Sequence, residues 1–305
     1  KVIAKGDFLE EDRLIFIREK AREVLIALGD SEAITYSLLS RESLNKAGLE
    51  DSGSIVMRQS AGEFIACHSR ESGNPDDLDS PVKPGNDKMS PYTDGLRNIV
   101  YLENPLSSQQ EVLRPDLSIG LLGVLARNLE LGNKNPGFFE LGDCFLKEKE
   151  SRVLGLIEEG GLVELKGKVE LLLAKLGIAD YSFKNISYPL FSAGQSARLM
   201  VSDKEAGVLG QINPAVLKNF KIDNSQVVYC QLNLDALKPY VSFEKTYNEL
   251  PKYPAVSRDL TLIAQEQVAY QSILDEIKTA KIKELEAIKF KDLYRAESLG
   301  ADKKS

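Results

Sequence analysis

The rare residue types of this sequence exclude several classes of function. Its 305 residues contain no tryptophan, one histidine (His68) and three widely spaced cysteines, Cys67, Cys144 and Cys230. A single histidine excludes HExxH zinc enzymes and multi-histidine metal sites, and isolated cysteines argue against a CxxC zinc site or a disulfide framework. This cysteine usage fits a reducing compartment. We therefore predict no metal site and a cytoplasmic location.

Long apolar runs and an excess of positive charge are also missing. No stretch approaches the ~18 apolar residues that cross a membrane, and the N-terminal residues lack a signal-peptide pattern. The formal net charge is −7, from 39 basic and 46 acidic residues, which excludes a uniformly basic nucleic-acid-coating surface but not a local basic patch. The length predicts about two domains.

Hydrophobic periodicity predicts a first, α+β domain over residues 1–240. Predicted helices cover about 10–28, 115–129, 165–176 and 213–220, and predicted strands cover 33–40, 98–106, 138–147, 153–159 and the segments SARLMVS, AGVLGQI and VVYCQLNL. Pro115 suits the first turn of its helix, and Leu117, Leu121 and Leu125 lie on the inner face. Strands with interspersed helices are typical of an antiparallel sheet domain.

Residues 59–94 interrupt this pattern. The stretch carries four prolines (Pro75, Pro81, Pro84 and Pro91), several glycines and no periodicity. Its wording, HSRESGNP…DSPVKPGND, resembles the peptide encoded by a dispersed bacterial palindromic repeat. We predict a disordered or repeat-derived insertion, in which His68 and Cys67 are solvated residues without a catalytic role.

A second domain is predicted from residue 246, after a linker over about 239–252. SRDLTLIA and AIKFKDLYRA each predict a strand, and a helix is predicted between them at about 270–280. This β-α-β pattern is half of a ferredoxin-like unit. Asp292 and Tyr294 are two residues apart and share one face of the last predicted strand. We assign no ligand contact to the Arg258-Asp259 motif, because a structural ion pair or a strand start explains its presence equally well.

Three ordered stretches resemble the beta subunits of bacterial phenylalanine–tRNA ligases. They are YLENPLSSQQEVLRPDLSIGLLGVLARN with FFELGDCF, GLVELKGKVELLLAKLG with VLGQINPAVLKNF, and KYPAVSRDLTLI with FKDLYRAESLGADKKS. The resemblance implies a catalytically silent class II synthetase-like antiparallel sheet domain over residues 1–240. For residues 246–305 it implies the N-terminal half of a ferredoxin-fold anticodon-binding domain.

The resemblance also implies a function and a set of residues. Such a segment supports the ATP-dependent attachment of phenylalanine to its tRNA by scaffolding a catalytic alpha subunit, in an (alpha-beta)2 tetramer, and by binding the tRNA anticodon. The implied anticodon-binding residues are Asp292, Tyr294 and Ser305, with Thr261 lining the site. The implied subunit-interface region contains Asn104, Pro105 and Arg114.

The sequence itself lacks the machinery for amino-acid activation. It has no GxGxGxER-like segment and no P-loop, and the Phe-Glu of FFELGDCF lacks the arginine whose planar fork would grip phosphate. We therefore predict no catalytic residue and no cofactor bound by this segment, with ATP and Mg²⁺ used by the whole enzyme.

Two other interpretations remain open at this point. The chain is also compatible with a stand-alone RNA-binding or protein-interaction module, or with a decayed fragment of such a gene. Taken singly, Tyr294 is compatible with a half-buried sheet aromatic, Asp292 with a solvated strand-edge charge, and the leucines at 117–129 with an ordinary intradomain core.

Overall fold

The computed structural model divides the chain into two compact units, residues 1–245 (unit 1) and residues 246–305 (unit 2). It describes residues 10–49, 99–147, 149–223, 226–242, 254, 256–268, 270–280, 282, 284–295 and 303–304. The predicted insertion at 59–94, with His68 and Cys67, lies outside the described residues.

Unit 1 is built on one seven-stranded sheet. Its strands are β1 (Ser31–Glu32), β4 (Gly137–Leu146), β5 (Lys149–Glu159), β6 (Tyr181–Asn185), β7 (Phe191–Val201), β8 (Lys204–Ile212) and β9 (Val227–Asn233). They lie in the order β1-β4-β5-β9-β8-β7-β6. Every pairing is antiparallel except the parallel contact of β1 with β4 at the edge.

Helices cover both faces of this sheet. One face carries α1 (Glu10–Ala27), α4 (Leu162–Lys175) and α6 (Leu234–Leu237), which is followed by a 3-10 turn (Lys238–Tyr240). The opposite face carries α2 (Arg41–Lys46), α3 (Ser118–Glu130) and α5 (Pro214–Asn219). Strand residues alternate between two apolar cores, because successive side chains of a strand point to opposite faces.

The segment with the clearest helical periodicity of apolar residues folds as predicted. The apolar stripe of α4 (Leu165, Val169, Leu172, Leu173 and Leu176) is buried. The helix ends at Lys175, and Gly177 two residues later has a φ of +74°, a conformation that glycine adopts without steric cost. The N–H of Ser242 donates to the carbonyl oxygen of Leu176 at 3.0 Å, so the end of α4 is bonded to the last described residues of unit 1.

The start of α3 differs from the prediction. The helix begins at Ser118 and not at Pro115. Asp116 precedes it, and its carboxylate accepts hydrogen bonds from the backbone N–H of Ser118 at 2.9 Å and from its hydroxyl at 2.6 Å. This local bonding satisfies the first helical N–H and so sets the start of the helix.

Two predicted strands of unit 1 are largely wrong. Within 33–40 only β2 (Leu38–Leu39) forms, and it pairs with β3 (Val112–Leu113). In the described part of 98–106 there is only the isolated bridge between Tyr101 and Val112. A strand requires a partner for its backbone groups, and here the available partner is only two residues long.

Unit 2 contains the predicted helix but not the predicted strands. Helix α7 (Tyr270–Thr279) lies where the sequence predicts it, and Ile273, Leu274 and Ile277 are half-buried. The paired strands are β10 (Ala264–Gln265) and β11 (Lys303–Lys304), which are antiparallel. The described residues from 256 to 263 and from 284 to 295 have no strand assignment, because the alternating pattern alone supplies no ladder of backbone hydrogen bonds.

Candidate nucleic-acid interface and subunit-contact region

Tyr294 and Asp292, the two central predicted anticodon residues, are both exposed. The side chain of Tyr294 has 61% of its surface open to solvent. Asp292 is also exposed and lies near the ammonium group of Lys291. A buried Tyr294 would have excluded a role in stacking on a base. The structure instead presents a free phenol ring and a carboxylate two residues apart.

Ion pairs flank this pair of residues along the chain. On one side, the ammonium of Lys291 contacts the carboxylate of Asp259 at 2.7 Å, which raises the pKa of the lysine. On the other side, the guanidinium of Arg295 grips the carboxylate of Glu266, with Nη2 at 2.6 Å and Nε at 3.0 Å from Oε1. This bond lowers the pKa of Glu266 and raises that of Arg295.

Ser305, the third predicted anticodon residue, lies outside the described residues. Its neighbour Lys304 belongs to β11, opposite Ala264. The ammonium of Lys304 also donates to the backbone carbonyl oxygen of Glu266 at 2.5 Å. Glu266 therefore bonds both to the residue that follows Tyr294 and to the residue that precedes Ser305.

Thr261 is exposed and lies between the two carboxylates, Asp259 and Glu266, along the chain. For the described residues, the structure records no hydrogen bond between Thr261 and either Asp292 or Tyr294. For the Arg258-Asp259 motif, the structure agrees with the ion-pair interpretation, since Asp259 forms an ion pair with Lys291. Sequence reasoning missed this partner because the two residues lie on predicted strands whose register the sequence does not give.

The predicted subunit-interface region lies on the surface at Asn104 and Pro105. Both residues are exposed, and the next side chain, Leu106, is 94% exposed. Nearby, the guanidinium of Arg41 lies 4.5 Å from the ring centre of Tyr101. A fully exposed leucine in a proline-containing loop is available to a partner.

Arg114, the third residue assigned to that region, is a correction. Its side chain is buried, and Nη1 lies 2.6 Å from the carboxylate of Glu140. Nε donates to the backbone carbonyl oxygen of Asp143 at 2.8 Å, and the hydroxyl of Thr35 donates to Glu140 at 2.7 Å. A buried guanidinium needs such partners, so Arg114 holds unit 1 together and cannot reach another protein.

The leucines of α3 also serve the interior of unit 1. Leu117, Leu121 and Leu125 have no exposed surface. Gly155 of β5 lies so close beneath them that a Cβ there would be 2.9 Å from Leu121 and 3.0 Å from Leu117. The intradomain interpretation of these leucines is therefore correct.

Glu140 is buried and paired with Arg114. This residue is the glutamate of FFELGDCF, and it is 2% exposed with its oxygens bonded to Arg114 and Thr35. Both oxygens of this carboxylate are therefore engaged within unit 1. Among the described residues no group of three His, Cys, Asp or Glu side chains is arranged to hold a metal ion, and no described helix is long and apolar enough to cross a membrane.

A second buried ionic cluster lies at the other core of unit 1. The ammonium of Lys168 on α4 lies 2.7 Å from Asp30 and also contacts Glu158 of β5. Burial raises the pKa of Glu158, although Lys168 opposes that rise. The same two carboxylates raise the pKa of Lys168 against the effect of its burial. The cluster joins α4 and β5 to the turn before β1, and it is partly buried, with Lys168 the most exposed of its three side chains.

The comparisons with known proteins agree with this fold. The structure is similar to the pyrrolysyl tRNA synthetase PylSc of Desulfitobacterium hafniense, with a TM-score of 0.50 and 18% identity over 73% of this chain and 65% of that one. At this identity the similarity shows the fold alone. Residues 251–305 match the ferredoxin-fold anticodon binding domain. The predicted α+β class, a class II synthetase-like sheet followed by a ferredoxin-like segment, is confirmed.

A second family model, together with the first, covers most of the chain. Residues 83–234 match the phenylalanyl tRNA synthetase beta chain CLM domain. The chain belongs to the phenylalanyl-tRNA synthetase beta-chain family. The beta subunit of phenylalanine–tRNA ligase from Clostridium tetani is 34% identical over 227 residues, which cover 71% of this chain and 29% of the relative.

A further member of the beta-chain family matches nearly the whole chain. The beta subunit from Carboxydothermus hydrogenoformans is 30% identical over 305 residues, which cover 94% of this chain and 33% of the relative. The chain thus spans about a third of the length of the curated relatives it matches. The predicted family resemblance is confirmed.

Proposed function

We propose that this chain is a segment of a phenylalanine–tRNA ligase beta subunit that binds the anticodon of phenylalanine tRNA and scaffolds a catalytic alpha subunit in an (alpha-beta)2 tetramer. The observation that carries the proposal is the exposed ring of Tyr294 beside the exposed carboxylate of Asp292, within the match to an anticodon-binding domain. The enzyme acts in the cytoplasm and attaches phenylalanine to its tRNA at the expense of ATP.

The chemistry of an anticodon suits these two side chains. Its bases are single-stranded, so a base can leave its stack and lie on an aromatic ring. Tyr294 is open enough to provide that ring. A carboxylate accepts hydrogen bonds from the ring N–H and the amino group of guanine, the first base of the phenylalanine anticodon, and Asp292 provides that carboxylate. Thr261 and Ser305 line the same site in this proposal.

Two observations in unit 1 support a scaffolding role without catalysis, one on an exposed loop and one on the interior. The loop containing Asn104, Pro105 and Leu106 is exposed, so it is open to an alpha subunit. Leu117 and Leu121 cover β5 at Gly155, and Glu140 is occupied by Arg114. In this proposal the segment binds neither ATP nor Mg²⁺, and the alpha subunit supplies both sites.

Replacement of Tyr294 tests the anticodon role. In the full complex with an alpha subunit, Tyr294→Ala removes the stacking surface and weakens binding of phenylalanine tRNA by about 1–3 kcal/mol. Tyr294→Phe keeps the ring and retains most of the affinity. Amino-acid activation measured without tRNA is unchanged in both variants. Equal tRNA affinity of Tyr294→Ala and the parent protein would reject the assignment.

Asp292→Asn tests base recognition at the same site. The amide replaces one acceptor oxygen with a donor, so the variant loses preference for guanine at the first anticodon position. The measurement compares binding of phenylalanine tRNA with that of the same transcript carrying adenine at that position. The parent protein prefers guanine and the variant prefers it less; an undiminished preference would contradict the role of Asp292.

A further inference from the structure

We propose that Asp259 and Glu266 are positioning residues, which hold the segment carrying Asp292 and Tyr294 in place for RNA binding. This inference rests on the proposed function, since it concerns the same site. Neither carboxylate contacts RNA in the proposal. Each acts through the basic residue that it binds, Lys291 for Asp259 and Arg295 for Glu266.

The first step of the argument is the spacing of the contacts. Along the chain, Lys291 immediately precedes Asp292, and Arg295 immediately follows Tyr294. Phe290 adds a third contact on the same side as Lys291, with its ring centre 5.1 Å from that of Tyr270, the first residue of α7. The residues proposed to touch RNA thus lie between held residues on both sides.

The second step is the lack of a backbone ladder here. In the part of the chain that the structure describes, no strand pairing involves residues 284–295. Side-chain contacts therefore carry the attachment of this segment to residues 256–266. The grip on Glu266 is the stronger one, because a guanidinium that donates two hydrogen bonds to one carboxylate fixes orientation as well as distance.

The third step is the second bond of Glu266. Its backbone carbonyl oxygen accepts a hydrogen bond from the ammonium of Lys304. Residue 266 thereby connects the segment ending at Arg295 with β11. Substitution of the Glu266 side chain leaves this backbone acceptor in place, so a variant tests the carboxylate, whose largest interaction is the hydrogen bond with Arg295 and whose smaller one is the attraction to Lys304.

A different role for the same ion pairs predicts the opposite result. If Asp259 and Glu266 merely neutralise Lys291 and Arg295, their removal frees two cations for RNA phosphates. Binding then becomes tighter and more sensitive to salt, because each additional phosphate contact releases counterions. If the carboxylates position the segment, their removal weakens binding even though the protein loses negative charge. The sign of the change distinguishes the two roles.

The experiment measures binding of a phenylalanine tRNA transcript to the full chain in its complex, at several salt concentrations. Glu266→Gln and Asp259→Asn should each weaken binding about two- to fivefold, the range of an exposed ion pair. Glu286→Gln is the matched control. Glu286 is exposed, and its substitution removes the same charge without breaking either ion pair. It should bind as the parent protein does, or slightly more tightly.

Rescue by exchange of the charges completes the test. Glu266→Arg combined with Arg295→Glu restores both the ion pair and the net charge, so tRNA affinity should return towards that of the parent protein. Tighter binding of Glu266→Gln with a steeper salt dependence would overturn the inference, as would affinities equal to that of the control. Thermal unfolding of each variant confirms that the exposed substitutions leave the chain folded.

The outcomes also separate this inference from the proposed function. If Tyr294→Ala weakens tRNA binding while Glu266→Gln and Asp259→Asn do not, only the positioning role fails. If Tyr294→Ala has no effect, the anticodon role itself fails.

Discussion

The two units place oppositely charged side chains in contrasting surroundings. In unit 1, Arg114 with Glu140 and Lys168 with Asp30 and Glu158 form clusters that are mostly or fully buried. In unit 2, the pairs of Lys291 with Asp259 and Arg295 with Glu266 are exposed. Burial makes a missing partner costly, whereas water and salt replace much of a missing exposed partner. The fold of unit 1 therefore depends on its ion pairs, whereas the exposed pairs of unit 2 are proposed to orient a surface.

The largest expected effect is the loss of a buried partner in unit 1. Glu140→Ala leaves the guanidinium of Arg114 buried without its carboxylate, which should lower the free energy of unfolding by about 3–5 kcal/mol. Glu170→Ala, which removes the partially exposed pair with Lys166, is the control and should cost about 0–1 kcal/mol. Chemical denaturation measures both. Similar small losses in the two variants would contradict the structural role of the buried pair.

The second prediction concerns Lys168. Lys168→Met leaves Asp30 and Glu158 close together without a cation, and should cost about 3 kcal/mol near neutral pH. Burial already raises the pKa of Glu158, and loss of the lysine raises it further. The folded variant then binds more protons than its unfolded chain, so its stability deficit should shrink as the pH falls towards 5. A deficit that stays constant between pH 7.5 and pH 5 would exclude this coupling.

The third prediction concerns alkaline pH. Burial raises the pKa of Cys144, Cys230 and Tyr229 in folded unit 1 above their ordinary values. Above the unfolded-state values the folded state retains protons that the unfolded chain releases, so stability falls by about 1.4 kcal/mol per pH unit for each group. Unfolding between pH 8 and pH 11 should show this decline, with a shallower slope in Cys230→Ala. Equal slopes in the two proteins would contradict it.

The smallest expected effect is on the exposed pairs of unit 2. Asp259→Asn should leave the thermal unfolding of the chain unchanged within error, because the ion pair with Lys291 is exposed to water. Calorimetry at low and high salt measures this. A marked loss of stability would show that the contrast between the two units is wrong.

The sequence predicted the elements whose pattern is local. The stripe of α4 and the continuous apolar runs of β5 and β9 identify buried segments without reference to any other part of the chain. Strands β2 and β3 were harder to predict, since a two-residue strand exists only through its partner. In unit 2 the predicted strand at 287–296 has an alternating pattern, but alternation does not supply backbone pairing.

The residues of the candidate site stay a prediction. The family resemblance pointed to Asp292 and Tyr294, and both are exposed as a binding role requires. Their ion-paired neighbours could not be predicted, because the pair of Arg295 with Glu266 spans 29 positions in the chain. The error at Arg114 has the same origin, since Thr35 and Glu140, which bury it, lie far from it in sequence.

The hydrogen bond from Ser242 to Leu176 joins the last described residue of unit 1 to the end of α4. Gly177 makes that junction tight, because a Cβ at this position would lie 2.6 Å from the carbonyl oxygen of Ser242. An alanine there would force the outgoing backbone away from α4. Residue 242 is therefore placed by close packing against the end of a helix, and a methyl group added at residue 177 is enough to disturb that packing.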